Sequence, residues 1–220
     1  MAKYLITGGA GFIGCNLVRY FLDKGQEVVV IDNYATGKPG NLDDVRDRIE
    51  FIEGDIRDRA AMDRAVSGCS GILHHAALGS VPRSVEDPVT SHDVNVNGTI
   101  NVLEAARAGG VRRIVFAASS SAYGDREESP KHERMTCLPI SPYAASKVSC
   151  EAYLRGYAAS YGLETLCLRY FNVFGPYQDP NGPYAAVIPA FVSRLLRGEK
   201  PVIYGDGEQS RDFCYVRNAC

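Results

Sequence analysis

The sequence predicts an α/β fold: a doubly wound parallel sheet with helices on both faces. Short apolar runs alternate along the chain with amphipathic stretches of helical period. The runs are nearly continuous, as in EVVVI at 27–31 and RIVFAA at 113–118, which marks strands buried on both faces of a parallel sheet. A third observation is a glycine-rich turn between the first run and the first amphipathic stretch, with Gly8, Gly11 and Gly14 spaced GxxGxxG.

Taken in order, residues 4–7 form the first strand. Residues 12–24 form the first helix, with Ile13, Leu17, Tyr20 and Phe21 at helical spacing and Gly25 as its stop. Residues 27–31 are the second strand, 49–52 the third, 58–66 a short helix and 71–74 the fourth strand. A helix is predicted over 94–108, the fifth strand over 113–118 and a long helix over 142–161, where Ser141 fits the N-cap and Pro142 the first helical position. The sixth strand spans 164–170. Beyond Phe171 the texture changes to a Gly/Pro-rich loop over 175–183, a short helix over 188–197, a strand over 202–204 and a turn over 205–207. The boundary therefore falls near Phe171. Residues 1–171 read as a Rossmann-like nucleotide-binding domain, and 172–220 as the start of a smaller C-terminal substrate-binding domain.

The 220 residues are 45% hydrophobic and 23% charged, an ordinary globular balance that excludes a disordered chain. Lys and Arg number 24 against 26 Asp and Glu, a formal net charge of −2. No broad positive field is present to seek nucleic acid. No apolar stretch approaches the roughly 18 residues of a membrane span, so no membrane partner is expected. The apolar start of the chain is interrupted by the glycine cluster and by Asn16-Leu17-Val18-Arg19, so it is not read as a leader. Cytoplasm is the default location. The seven cysteines (Cys15, Cys69, Cys137, Cys150, Cys167, Cys214 and Cys220) include no CxxC pair, which points to reduced, mostly buried thiols. His74, His75, His92 and His132 lack metal-ligand spacing, and no metal site is expected.

The glycine turn predicts a phosphate cradle. Glycines allow a tight turn, a close backbone approach to a pyrophosphate and close helix–strand packing, and the helix N-terminus presents free N–H groups to the anion. Asp32 stands 18 residues after Gly14 at the end of the second strand. A carboxylate there accepts from ribose hydroxyls and repels a 2′-phosphate, which favours NAD over NADP. Asp55 and Ile56, after the third strand, are placed to meet the adenine. His75, Ala76 and Ala77, after the fourth, supply mostly small residues where a cofactor passes. Phe12, Ile13, Asn33 and Gly37 flank these positions and complete the expected cofactor set.

Tyr143 and Lys147 form a YxxxK pair on the long predicted helix. Residues four apart share one helix face. An ammonium beside a phenol favours the phenolate, which suits a general base near neutral pH. Such a pair is common by chance. It gains weight from Ser119-Ser120-Ser121 at the carboxyl end of the fifth strand, the edge where open α/β sheets bind ligands.

Together TGGAGFIG (7–14), SSSAYGD (119–125), SPYAASK (141–147) and LRYFNVFGP (168–176) resemble the extended short-chain dehydrogenases/reductases. More closely they are similar to NAD-dependent nucleotide-sugar 4-epimerases. The stretches ALGSVPRS (77–84), DPNG (179–182) with YAAVIP (184–189), and GDG (205–207) with SRDFCY (210–215) resemble bacterial enzymes of the UDP-N-acetylglucosamine 4-epimerase type. The resemblance implies Tyr143 as catalytic base/acid and Lys147 as its electrostatic partner at the nicotinamide ribose. It implies Ser119 as hydrogen-bond partner of the sugar's 4′-hydroxyl, with Ser120 and Ser121 in support. Asn95 and Phe171 are placed at the cofactor, and Asn172 and Arg211 at the substrate diphosphate. Gly79, Ser80, Ala186 and Val187 complete the substrate set.

The implied reaction is transient oxidation of a UDP-hexose to a 4-keto sugar, followed by hydride return to the opposite face, with NAD regenerated. UDP-GlcNAc/UDP-GalNAc is the first expectation; UDP-glucose/UDP-galactose and UDP-uronates stand as alternatives. Related dehydratases and decarboxylases place a carboxylic acid directly after the serine or threonine. Here Ser120 and Ser121 stand there, which argues for epimerisation. A non-catalytic NAD-binding module also stays open, because relatives of this kind continue well past the SRDFCY segment and the chain reads as a C-terminally truncated form. A homodimer through the helices around 95–108 and 143–160 is implied by the resemblance. Arg217 stands where relatives carry an acidic residue.

Overall fold

The computed structural model describes residues 1–181, 186–203 and 205–220. Six strands form one parallel sheet: β1 (Lys3–Thr7), β2 (Glu27–Asp32), β3 (Glu50–Glu53), β4 (Gly71–His74), β5 (Arg113–Ser119) and β6 (Glu164–Tyr170). Their spatial order is β3-β2-β1-β4-β5-β6. The order reverses between β1 and β4, where Thr7 lies opposite both Ile31 and His74. That reversal opens a crevice at the carboxyl ends of the strands.

The sheet is covered on both faces because both faces of its central strands are apolar. Leu5, Val29, Ile31, Ile72, Ile114 and Phe116 face a core shared with α2 (Arg59–Val66), α5 (Gly98–Ala108) and α6 (Pro142–Tyr161). Ile6, Val28, Val30 and Leu73 face the other core, shared with α1 (Phe12–Asp23) and a 3₁₀ segment over Pro39–Arg48. The caps follow the expected chemistry. Asp58 accepts from the amides of Ala60 and Ala61 at the start of α2, and Ser141 accepts from Ala144 at the start of α6. Gly162 ends α6 at φ 71°.

The structure adds to the expected elements and corrects one of them. The helix over 94–108 forms, but as a π-turn over Asp93–Asn97 followed by α5, and two unexpected short helices precede it, α3 (Val81–Glu86) and α4 (Pro88–His92). Pro82 and Pro88 sit in the first turns of two helices too short to show a period. Ser80 and Asp87 cap them through Arg83 and Thr90. The strand over 202–204 is not formed at Val202 and Ile203, which are exposed; Tyr204 lies outside the described residues. Their β-branched character does not make a strand without a partner. Conversely, β7 (Asn172–Phe174) and β8 (Phe213–Tyr215) pair in parallel as a separate two-stranded ribbon, too short for periodicity to announce. The remaining helices are α7 (Val187–Leu196) and α8 (Val216–Ala219). Gly182, Tyr184 and Ala185 of the motif stretches lie outside the described residues.

Among the described residues no helix is long and apolar enough to cross a membrane. The seven cysteines are free thiols, and burial pushes Cys15, Cys69 and Cys167 up to about 11.

Candidate active site

Gly8 leaves β1 at φ 71°, and a Cβ there would stand 2.7 Å from the Ala76 amide nitrogen. The turn after β1 thus lies directly against the loop after β4. A Cβ on Gly14 would stand 2.1 Å from the Gly8 carbonyl oxygen and 2.8 Å from Gly9 Cα. The loop therefore folds onto the first turn of α1 at a distance only hydrogen permits. Gly11 caps α1 and has no side chain to accept from the first-turn amides, which leaves them for an anion. Gly37 closes the loop from outside, where an added Cβ would meet Ala10 Cβ at 2.9 Å.

A cavity of about 210 Å³ opens at the carboxyl ends of β1 to β4, lined by Gly8, Gly11, Asp32, Asn33, Asp55, Ile56, His75, Ala76 and Ala77. Whole small-molecule sites run to roughly 300–1,000 Å³, so this one suits half of a dinucleotide. Asp32 is buried, and each of its oxygens accepts one amide: Ala10 at 2.9 Å and Tyr34 at 2.8 Å. Burial raises its carboxyl above the usual range, against the lowering by those two amides. Further lone pairs on the same oxygens stay available to hydroxyl donors. The cradle and the carboxylate both fit a dinucleotide without a 2′-phosphate.

The cavity rim was only partly legible. Arg57 lines it together with Leu78, Thr90 and Val94. Its guanidinium donates to both Asp55 oxygens and to Asp93 on the π-turn at 2.6 Å. Asn33 donates to Asp55 as well, at 2.9 Å. Arg57 beside Asp55 holds that carboxyl below its ordinary value. Nothing in the spacing of Arg57 marks it, because Asp93 is reached only through the fold.

Phe12, Ile13, Gly14, Asn95, Tyr143, Lys147 and Phe171 do not line this cavity. Phe12, Ile13 and Gly14 form the first turn of α1, and Phe171 stacks on Tyr123 with centroids 6.3 Å apart. Asn95 is 1% exposed. Its side-chain oxygen accepts from Leu78 N–H at 2.8 Å, and its amide donates to Ser146 Oγ at 3.0 Å. Its contacts are therefore with the walls of the site: it ties the loop after β4 to α6.

Tyr143 and Lys147 share the first turns of α6, with Lys147 Nζ 6.0 Å from the Tyr143 ring centroid. Lys147 is 4% exposed; its ammonium donates to Ala117 O at 2.8 Å and lies 4.7 Å over the Phe116 ring. A buried ammonium so placed projects its field with little screening. Ser119 ends β5, and its Oγ accepts from Ser121 Oγ at 2.8 Å and Ser121 N–H at 3.2 Å. Both lone pairs are thereby used, so its own proton is free to be donated. Ser120 and Ser121 lie in the 3₁₀ turn that follows.

The remaining expected substrate residues are spread over separate elements. Gly79 is exposed, with open space where a Cβ would stand, and Ser80 caps α3. Asn172 on β7 donates to Asp212 O at 2.9 Å. Arg211 is exposed and donates to Ser210 O. Ala186 and Val187 begin α7, both exposed.

His74 and His75 face opposite sides of the sheet. His74 Nδ1 meets Thr7 Oγ1 at 2.7 Å and its Nε2 meets Thr99 Oγ1 at 2.9 Å, whereas His75 Nε2 meets Tyr170 OH at 3.3 Å. Burial, then the Lys147 charge, holds His74 down to about 3; burial, opposed by the Leu73 carbonyl and aided by Lys147, holds His75 down to about 4. Both are neutral when folded, whereas unfolded imidazoles protonate below about 6.5. Stability is therefore full above about pH 6.5 and falls as pH drops toward 4, by up to roughly 1.4 kcal/mol per pH unit for each histidine. The lowered carboxyls, such as Asp55, act only below that window. Urea unfolding at about pH 7 and about pH 5 checks this. Equal unfolding free energies would refute it.

Comparisons with known proteins give the family and the fold. The family model described as "NAD dependent epimerase/dehydratase family" matches residues 4–220. A UDP-glucose 4-epimerase of Mycolicibacterium smegmatis is 41% identical over 218 residues, covering 97% of this chain and 69% of that protein. The structure of UDP-N-acetylglucosamine 4-epimerase from Methanobrevibacter ruminantium, in complex with UDP-N-acetylmuramic acid, superposes with a TM-score of 0.94 at 44% identity. It covers 99% of this chain and 70% of that one. The Thermus thermophilus UDP-glucose 4-epimerase in complex with NAD gives 0.88 at 42% identity, over 99% and 71% of the two chains.

Proposed function

Since the chain belongs to the NAD dependent epimerase/dehydratase family, we propose that it interconverts the C4 epimers of a UDP-hexose, with UDP-GlcNAc and UDP-GalNAc as the preferred pair. One observation carries the reading: Tyr143 and the buried Lys147 share one helix face beside a strand end that offers serines, not carboxylic acids, at 120 and 121.

The geometry supports the following division of labour. When bound, NAD would supply reversible hydride storage for the chemistry at carbon 4 of the sugar. Gly8, Gly11 and Gly14 keep the cradle clear, and Asp32 takes the ribose hydroxyls. Tyr143 removes and returns the proton of the 4′-hydroxyl, and the Lys147 ammonium stabilises its oxyanion. Ser119 donates its free proton to the same sugar oxygen. Asn95 acts from behind, by fixing the wall between Leu78 and Ser146.

The segment 172–220 takes the rest of the substrate. Asn172, which donates to the carbonyl of Asp212, and the neighbouring Arg211 face the diphosphate; a guanidinium fork suits that task. The open space at Gly79 and the small side chain at Ala186 support the N-acetylated sugar. The M. ruminantium likeness favours this sugar. The M. smegmatis and T. thermophilus likenesses favour UDP-glucose and UDP-galactose as the second reading. A cytoplasmic homodimer through α5 and α6 belongs to the same proposal.

Product analysis with UDP-GlcNAc and UDP-glucose side by side tests it. The expected products are the C4 epimers, with faster turnover of the N-acetylated sugar. A retained 4-keto, dehydrated or pentose product overturns epimerisation in favour of a dehydratase or decarboxylase. Binding without turnover across a panel of UDP-sugars favours an NAD-binding module.

A further inference from the structure

The start of α6 poses an accounting problem. Helix N-termini leave their first amides without intrahelical acceptors. Pro142 at the first position has no N–H, and the first backbone bond of the helix runs from Ala145 N–H to Ser141 O at 2.9 Å. Two donors are left, the amides of Tyr143 and Ala144. Ser141 Oγ accepts from Ala144 at 3.1 Å. Tyr143 N–H is accepted at 3.0 Å by Ser84 Oγ, 59 residues away in sequence.

Ser84 is 0% exposed and sits on α3. Its hydroxyl proton goes to Val81 O at 2.7 Å, so its lone pairs face Tyr143 by construction. The other side of the same residue is also held: Ser146 Oγ donates to the Tyr143 carbonyl at 2.7 Å and itself accepts from Asn95. Tyr143 is thus gripped at its N–H from α3 and at its C=O from within α6. The α3 grip also leads to the sugar side, because the helix begins at Ser80, next to Gly79.

We propose that Ser84 is a positioning residue for Tyr143: it completes the N-cap of α6 from α3 and fixes where the phenol stands relative to substrate. This rests on the reading of Tyr143 as the base. A base displaced by about an ångström loses rate far more than binding. Loss of the Ser84 acceptor therefore lowers kcat and spares KM.

The test uses the full chain with NAD bound. Ser84→Cys keeps the buried volume and loses the strong acceptor; Ser84→Ala loses both; Ser84→Thr keeps the hydroxyl. In the Cys and Ala variants kcat falls by roughly ten- to a hundredfold with KM within about twofold of wild type, and Thr recovers most of kcat. Hydrogen exchange of the Tyr143 amide speeds up in the Cys and Ala variants and returns in Thr. Unchanged kcat or unchanged amide exchange in Ser84→Cys overturns the proposal. So does a parallel loss of kcat, NAD content and thermal stability that Thr does not rescue, which is a packing role. Tyr143→Phe runs alongside: if it turns over like wild type, the reading of the base itself fails. If it is inactive while Ser84→Cys is normal, only the positioning role fails.

Discussion

Tyr143→Phe lowers epimerisation by roughly 10²- to 10⁴-fold, the range that loss of a general acid–base group produces, while NAD stays bound. The two halves of this result come from different parts of the molecule. Phenylalanine keeps the ring, its packing and the backbone grip of Ser84 and Ser146, so α6 is not disturbed. What disappears is the hydroxyl proposed to carry the sugar's proton. Lys147 keeps its bond to Ala117 O and its place over Phe116. The glycine turn of Gly8, Gly11 and Gly14 and the carboxylate of Asp32 lie on other elements. Turnover by multiple-injection product analysis and NAD content by absorbance are the measurements. Wild-type-like turnover in the variant would sink the assignment of Tyr143.

Gly14→Ala produces the second large effect, and in the opposite order: NAD binding is lost first and turnover follows. The new Cβ would stand 2.1 Å from Gly8 O and 2.8 Å from Gly9 Cα. Both neighbours are backbone, so no side-chain rotation relieves the contact. Either α1 moves away from the loop or the loop opens. Both changes displace the first-turn amides that Gly11 leaves free. Overpacking of this kind costs roughly 1–3 kcal/mol of stability, occasionally more. The expected result is a lower Tm together with NAD content near zero after purification. A control at Gly25, φ 70° but with nothing near its Cβ, carries only the conformational cost and retains NAD. Full NAD occupancy in Gly14→Ala would show that the cradle is not the cofactor's seat.

Much of this was written in local patterns. The apolar runs located the strands of the main sheet, and for the central β1, β2, β4 and β5 the reason is that a strand buried on both faces needs little but apolar residues. Ser141 and Pro142 marked the start of α6, because capping is chemistry between near neighbours. The cavity lining of Gly8, Gly11, Asp32, Asp55, Ile56 and His75 to Ala77 followed from their places at strand ends. What local pattern did not carry were the elements without a period. Helices α3 and α4 are one to two turns long with a proline in the first turn, and β7 and β8 hold three residues each. Their existence depends on partners elsewhere in the chain.

The sequence by itself determined the chemistry on offer: a glycine cradle, a carboxylate at the end of β2, a Tyr–Lys pair on one helix and a serine at the end of β5. Each arises within a few residues of itself, where bond geometry and helical or strand spacing leave little freedom. Only the tertiary structure decided how these groups are held. Asn95 works from within the wall rather than at the cavity surface. Arg57 closes the rim through Asp93. Ser84 reaches Tyr143 across 59 residues of chain. The physical reason is that a buried donor or acceptor must be paired by whatever the fold brings near, and no local spacing states which residue that will be.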